Sequence, residues 1–399
     1  MKHPWRFSLS AALLIAVACA GLSDRGLTQA RGADAKVLGL DKVIAFVYSP
    51  AQNFDLKQLK SATLVGPRDS AEWQSWQQRG VVMGVGHTWY DLLRSPVDKA
   101  VTNLVGQDPM GKPGPLVMID EFGFDYGGEM DQKSAEILRQ AKRRRPEQNF
   151  AVFEMRGPIP PVLAEAYRDA ADLVMVESYV RSKQWYWWIA TQVWSARHFG
   201  ILPKTIVVLG IGKGGNPGEN WAETKEEIEQ QIRFVRLIAP ESPGIAFYSG
   251  TPELLASADA LAAHFSEIPT DGAGLPADLL LLAQTFSRRY SRPTLLVSPA
   301  LVQPNYKGDG LGQMAEPKTM RPYLINLGDE DAHDVKIRLR NPPALGGNVF
   351  AEGVVPLVPK RSVEIGVLPV TAQWKVWVGQ WLMDVEAPGC EVQVLGTGH

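Results

Sequence analysis

The sequence predicts an α/β fold: a (β/α)8 barrel, or TIM barrel, followed by a C-terminal antiparallel β-sandwich. Three observations carry this expectation. Eight short apolar runs alternate with stretches of helical length between Lys42 and Phe265. Runs such as TIVVLG and LVMVES are apolar on both faces, as parallel strands covered by helices must be. Beyond Tyr290 helical periodicity gives way to strands separated by Asn-Pro, Gly-Gly and Gly-Asp breaks. Eight βα units in about 230 residues have the size of a closed barrel. A doubly wound open sheet, the alternative, usually stops at about five or six strands.

The strands are expected at Val43–Tyr48, Thr63–Gly66, Val81–His87, Leu116–Glu121, Phe150–Met155, Leu173–Ser178, Thr205–Gly210 and Gly244–Ser249. The helices are expected at Phe54–Lys60, Ala71–Arg79, Tyr90–Val105, Glu129–Arg145, Pro160–Ala170, Gln184–Phe199, Ala222–Ile238 and Pro252–Phe265. Asp69-Ser70 and Thr251-Pro252 are start signals, since an N-cap oxygen accepts from the first free amides and proline tolerates the first turn. Residues 1–35 form a leader and 36–270 the barrel. Residues 271–290 hold a linker, with an apolar helix at Leu279–Arg288, and 291–399 the β-sandwich. The Pro/Gly-rich stretch IPTDGAGLPAD marks the boundary. The sandwich strands are expected in TLLVSPA, PYLINLG, DVKIRLR, SVEIGVLPV, WKVWVGQWLMDVE and CEVQVLG.

At 399 residues, with 45% hydrophobic and 21% charged residues, the chain has a globular composition. Its net charge of −2 gives no electrostatic footprint for nucleic acid or an anionic membrane surface. The basic run Lys142–Arg145 reads as the solvated last turn of a helix, where cations favour the macrodipole. Lys2 and Arg6 precede an apolar run, Leu9 to Ala20, too short to span a bilayer. Small-residue sites at Ala18-Cys19-Ala20 and Ala33-Asp34-Ala35 complete the layout of a signal peptide. A secreted or periplasmic protein is therefore expected. Lipid anchoring at Cys19 is the lesser option, because Ala16 stands where a lipobox has Leu. Once the leader is cleaved, Cys390 is the sole cysteine, so no internal disulfide is expected.

Functional groups of such a barrel gather at the C-terminal ends of its strands. Those ends carry Tyr48, His87 with Trp89, Asp120 with Glu121, Glu154 with Arg156, Glu177 with Tyr179, Lys213 and Tyr248. The segment VMIDEFGFDYGG is the sharpest of these, a core strand that ends in clustered acids. Adjacent strand residues face opposite ways, so one of Asp120 and Glu121 enters the mouth and the other braces a loop. Glu121, outermost and longer, is the expected mouth residue, with Asp120 tuning it and Asp125 on the rim. Two carboxylates across a pocket suit glycosidic cleavage, one protonated to donate to the leaving oxygen and one ionised to attack or to activate water. Glu121 is the expected acid and Glu177 the expected nucleophile or base, with Glu154 as substitute. Tyr48, Trp89, Tyr179 and Tyr248 offer flat apolar surfaces for a sugar. His87, Glu154, Arg156 and Lys213 are expected substrate contacts. The competing account of any one acid is a local ion pair, with Arg156 or Arg181, or a helix cap.

On these residues the stretch Val43 to Phe265 resembles the (β/α)8 glycoside hydrolases, many secreted members of which carry an appended β-sandwich. The resemblance implies a carbohydrate substrate and a catalytic carboxylate after strand four, at Glu121 or Asp120. Clan A members have Asn-Glu there and a Glu after strand seven. This chain has Asp-Glu, and its strand-seven run VVLGIGKGG carries no acid. The chitinase-type D-x-x-D-x-D-x-E run is absent. A pairing of strands four and six, usually with Asp, occurs in other barrel glycosidases and implies Glu177 as the second group.

GIGKGG fits the dinucleotide spacing only formally, since Asn216 to Asn220 intervene before the next helix and the unit is the seventh. It reads as a loop over the pocket, with a phosphate site at Lys213 as the alternative. The tryptophans Trp185, Trp187, Trp188 and Trp194 cannot share one helical stripe, so part of the cluster is expected to be exposed or under the second domain, with a sugar-stacking platform near Glu177 as the lesser option. No cofactor is expected. His87, His198, His264, His333 and His399 show no metal-binding spacing, although carboxylate-bound calcium near Asp120 and Asp125 stays open. There is no G-x-S-x-G elbow. The competing function is a carbohydrate-binding or cell-surface scaffold on a degenerate barrel.

Overall fold

A computed structural model describes residues 36–47, 58–66, 73–88, 92–106, 116–122, 126–154, 157–179, 186–212, 221–301, 319–373 and 381–395. Within it, β1 (Val43–Val47), β2 (Leu64–Gly66), β3 (Val82–Thr88), β4 (Leu116–Phe122), β5 (Phe150–Glu154), β6 (Leu173–Ser178), β7 (Thr205–Gly210) and β8 (Gly244–Tyr248) close into a barrel in chain order. All eight pairings are parallel, and β8 returns to β1 with Val47 opposite Tyr248. The helices between them are α1 (Trp73–Gln78), α2 (Val97–Gly106), α3 (Glu129–Arg144), α4 (Pro161–Ala170), α5 (Tyr186–His198), α6 (Lys225–Ile238) and α7 (Pro252–Ala263).

Period-two alternation divides the core. Val43, Ala45, Leu116, Met118, Ala151, Phe153, Leu173, Met175, Ile206 and Val208 fill the barrel interior. Their strand neighbours, such as Ile44, Val117, Val152 and Val174, join the outer core beneath the helices. Met118 shows how closely the interior is packed. A Cβ added at Gly84 would fall 1.8 Å from its Sδ, and one at Gly66 would fall 2.6 Å away. The glycines of β2 and β3 thus make room for one long side chain from β4.

Two helix starts differ from expectation. Tyr90–Val105 is not one helix: Leu92-Leu93 is helical, the chain breaks, and α2 begins after Pro96. Proline lacks the amide that a continuous helix needs at that point and tolerates only its first turn. Ala222 bridges Ile211, so the seventh helix starts later, at Lys225. There Thr224 and Glu227 form a reciprocal capping box. The first expected helix, Phe54–Lys60, lies mostly outside the described residues.

Past the barrel, α8 (Ala277–Ser287) packs on α5 and α6. Then follow β9 (Thr294–Leu301), β10 (Thr319–Met320), β11 (Pro322–Asn326), β12 (Ala332–Arg340), β13 (Val349–Val358), β14 (Val363–Ile365), β15 (Leu368–Pro369), β16 (Leu382–Glu386) and β17 (Glu391–Val394). They form sheets ordered β14-β11-β9-β17, β13-β12-β16 and β10-β15. A core of Leu295, Val297, Leu324, Val335, Ile337, Leu339 and Phe350 lies between the two larger sheets. The sheets pair antiparallel, as expected of the sandwich, apart from β17, which runs parallel to β9. A correction is β13, a ten-residue strand absent from the expected set. Gly353 and Pro356 make its sequence look broken, but β13 is an edge strand, where proline leaves no central ladder bond unmade.

Candidate functional site

Strand parity determines what reaches the barrel mouth. On β4 the interior row is Leu116, Met118 and then Asp120, which is exposed at the strand's C-terminal end. On β6 the row is Leu173, Met175 and Glu177, and on β8 it is Ala246 and Tyr248. Asp120 and Glu177 therefore come from non-adjacent strands to one mouth, and Tyr179 registers both of them.

Tyr179 lies beside Glu177, close enough for its phenol to feel that carboxylate's charge. Burial, then the charge of Glu177, then Tyr248 and Asp120, push the Tyr179 pKa well above its ordinary value, so the phenol stays protonated and remains a donor. Its ring stacks on Tyr248 at 5.0 Å and 19°, and Trp221 meets the two rings at 5.0 and 5.5 Å. Two carboxylates thus face an aromatic wall built on the β6–β8 side.

Local structure explains these positions. Gln192, buried on α5, donates from Nε2 to the Glu177 carbonyl at 3.0 Å and accepts from Ser178 Oγ at 2.6 Å. This fixes the end of β6 from behind. Trp221 arrives differently. The chain leaves β7 at Gly212 and returns at Trp221-Ala222, where Gly212 N–H donates to the Ala222 carbonyl at 2.7 Å. The returning indole lies over Gly210, so close that a Cβ there would stand 2.7 Å from the ring. Ser249, buried just after Tyr248, takes a left-handed φ of +67° and donates from its amide to Val47 at 3.2 Å. A non-glycine residue in that region is uncommon and costs conformational energy.

The remaining sequence candidates are placed as follows. Glu154 follows the outward row of Phe150 and Val152, is fully buried, and accepts from Tyr167 Oη of α4 at 2.5 Å. The structure does not bring it to Asp120 and Glu177. Glu121 lies within β4, but its side chain is outside the described residues, as is that of His87, whose backbone pairs with Ile119. Tyr48, Trp89, Arg156, Lys213 and Asp125, with Trp185 and Arg181, also lie outside the described residues. The β4–β5 register gains one residue between Ile119 and Phe122, a bulge located at Asp120-Glu121.

Trp221 is the site residue that sequence reasoning missed. The one signal for it was a tryptophan returning from a Gly-rich loop opposite a strand that ends in Gly210. Among the described residues no group of three His, Cys, Asp or Glu is arranged to hold a metal. No helix among them is long and apolar enough to cross a membrane.

No protein-family model matches the sequence, and no curated protein matches it. Solved structures do. The chain is similar to the GH18 chitinase ChiB of Flavobacterium johnsoniae, at 8% identity over 58% of this chain and 98% of that one, with a TM-score of 0.38. It is similar to active domain 2 of a thermostable chitinase from Pyrococcus furiosus, at 13% identity over 57% and 95%, with a TM-score of 0.41. It is also similar to a GH27 β-L-arabinopyranosidase from Geobacillus stearothermophilus, at 10% identity over 75% and 77%, with a TM-score of 0.32.

Proposed function

We propose that the barrel mouth hydrolyses a glycosidic bond in a poly- or oligosaccharide, in a protein exported by its N-terminal signal peptide. The observation that carries this reading is the convergence of Asp120 and Glu177 on Tyr179 beside the Tyr179–Tyr248–Trp221 wall. Glu177, beside the protonated Tyr179 phenol, serves as nucleophile or as the base that activates water. The Asp120-Glu121 pair on β4 supplies the proton to the leaving oxygen. The aromatic edges offer a sugar an apolar face beside polar groups.

The test is a panel of defined oligosaccharides assayed with the wild type, Glu177→Gln, Asp120→Asn and Glu121→Gln. The reading expects turnover in the wild type and a loss of about 10²–10⁴-fold in Glu177→Gln and in at least one β4 variant. Turnover that survives all three substitutions overturns it. Binding without turnover in the wild type replaces it with the scaffold function.

A further inference from the structure

The last four-stranded sheet has two different faces. Leu295, Val297 and Leu324 point into the sandwich, whereas Leu296, Ile325, Leu327 and Leu395 belong to the same continuous core as the barrel helices. Lys36–His399 accordingly forms one compact unit. Tyr323 lies on the barrel-facing side of β11 and is 3% exposed. Between Pro322 and Tyr323 the register of β11 against β9 shifts, because two extra residues of β9, Pro299 and Ala300, stand opposite that step.

What Tyr323 touches are residues just beyond β4, which carries Asp120, and its neighbour β5. Its ring meets Tyr126 edge-on, with centroids 5.3 Å apart at 75°. Tyr126 follows Phe122 by four residues and holds a left-handed φ of +49°. The same ring lies 3.5 Å from where a Cβ on Gly157 would be, and Trp188 of α5 lies 3.7 Å from that point. Gly157 follows the end of β5 by three residues. Behind these contacts Asp131, fully buried, accepts from Gly127 N–H at 2.7 Å. Burial, then Tyr323, Glu364 of β14, Asp131 and Glu154, raise the Tyr126 pKa well above its ordinary value, so Tyr126 is a neutral, desolvated part of this junction.

We propose that Tyr323, in the C-terminal β-domain, is a positioning residue for the barrel mouth. It packs on Tyr126 beyond β4, the strand that carries Asp120, and on Gly157 beyond the neighbouring β5. The β-domain would then be a built-in wall of the site and not an appended binding module. Only the catalytic consequence of this proposal rests on the glycosidase reading.

Hydrogen exchange on the full chain tests it without a substrate, comparing wild type, Tyr323→Ala and Tyr323→Phe. In Tyr323→Ala, exchange should quicken about tenfold or more over residues 116–131 and 157–163, while 205–212 across the barrel stays unchanged. Tyr323→Phe keeps the ring and should stay within about twofold of wild type. On any oligosaccharide the wild type cleaves, Tyr323→Ala should lower kcat about tenfold with KM little changed, and Tyr323→Phe should restore it. Unchanged exchange in Tyr323→Ala, uniform quickening across the barrel, or Phe behaving like Ala each overturns the proposal. A wild type that shows no hydrolysis overturns the glycosidase reading alone, because the exchange result stands apart from it.

Discussion

Tyr179 stands two positions after Glu177, just past the end of β6, and after burial the Glu177 charge is the largest influence on its phenol. The phenol is kept protonated by its own burial and by the acids around it, so it remains a donor over the whole neutral range. A protonated phenol beside a carboxylate favours its ionised form, the form that attacks or activates water in the proposed reaction.

The first prediction follows from that pairing. Tyr179→Phe keeps the ring stacked on Tyr248 and removes only the hydroxyl. A hydrogen bond to a charged group is worth roughly 1.5–3 kcal/mol, which corresponds to about a ten- to hundredfold fall in kcat/KM. Steady-state kinetics on a cleaved oligosaccharide should show this mostly in kcat, with little change in KM. An unaltered kcat would remove Tyr179 from the machinery.

Much of the barrel was legible because each strand is a short apolar run between helical segments, and burial on both faces leaves no other home for such runs. The same property concealed strand parity. FAVFE is apolar at both phases, so nothing in it separates the interior pair Ala151 and Phe153 from the outward row that ends at Glu154. The bulge at Asp120-Glu121 interrupts simple alternation just where it was used to choose between two acids. Trp221 was hidden because its position depends on a non-local bridge, Ile211 to Ala222, and on the missing Cβ of Gly210.

A second prediction concerns the barrel interior. Gly84→Ala places a methyl group 1.8 Å from Met118 Sδ and 2.5 Å from its Cγ, so the buried thioether must move. Overpacking of this kind costs about 1–3 kcal/mol. Met118→Ala alone leaves a cavity and costs about 2–5 kcal/mol. Combined, the two changes relieve each other, and the double variant should lose less than the sum by at least about 0.5 kcal/mol. Urea denaturation of the four proteins measures the coupling, and strict additivity would contradict the contact.

A third prediction is a pH dependence. Tyr126, Tyr167 and Tyr179 all have pKa values raised well above 10.0, in each case with burial as the largest cause. The folded state therefore keeps protons that the unfolded chain releases above that pH. By linkage their stabilising contribution is complete below pH 10 and falls as pH rises beyond it. Phenolate absorbance should show these tyrosines titrating in one cooperative step, together with the loss of circular dichroism. Reversible ionisation of all the tyrosines near pH 10 in a folded protein would refute it.

The last prediction separates Glu154 from the mouth. Tyr167 Oη donates to Glu154 Oε2 between β5 and α4, with both residues fully buried. Tyr167→Phe deletes one donor to a carboxylate that water does not reach, at a cost of about 1–3 kcal/mol of stability. Because this pair faces the helices and Glu177 faces the interior, the same variant should keep its kcat within about twofold of wild type at temperatures below its transition. Chemical denaturation and kinetics on the same sample test both halves. If kcat collapses while stability is unchanged, Glu154 acts on substrate and the outward placement of its row does not govern its role.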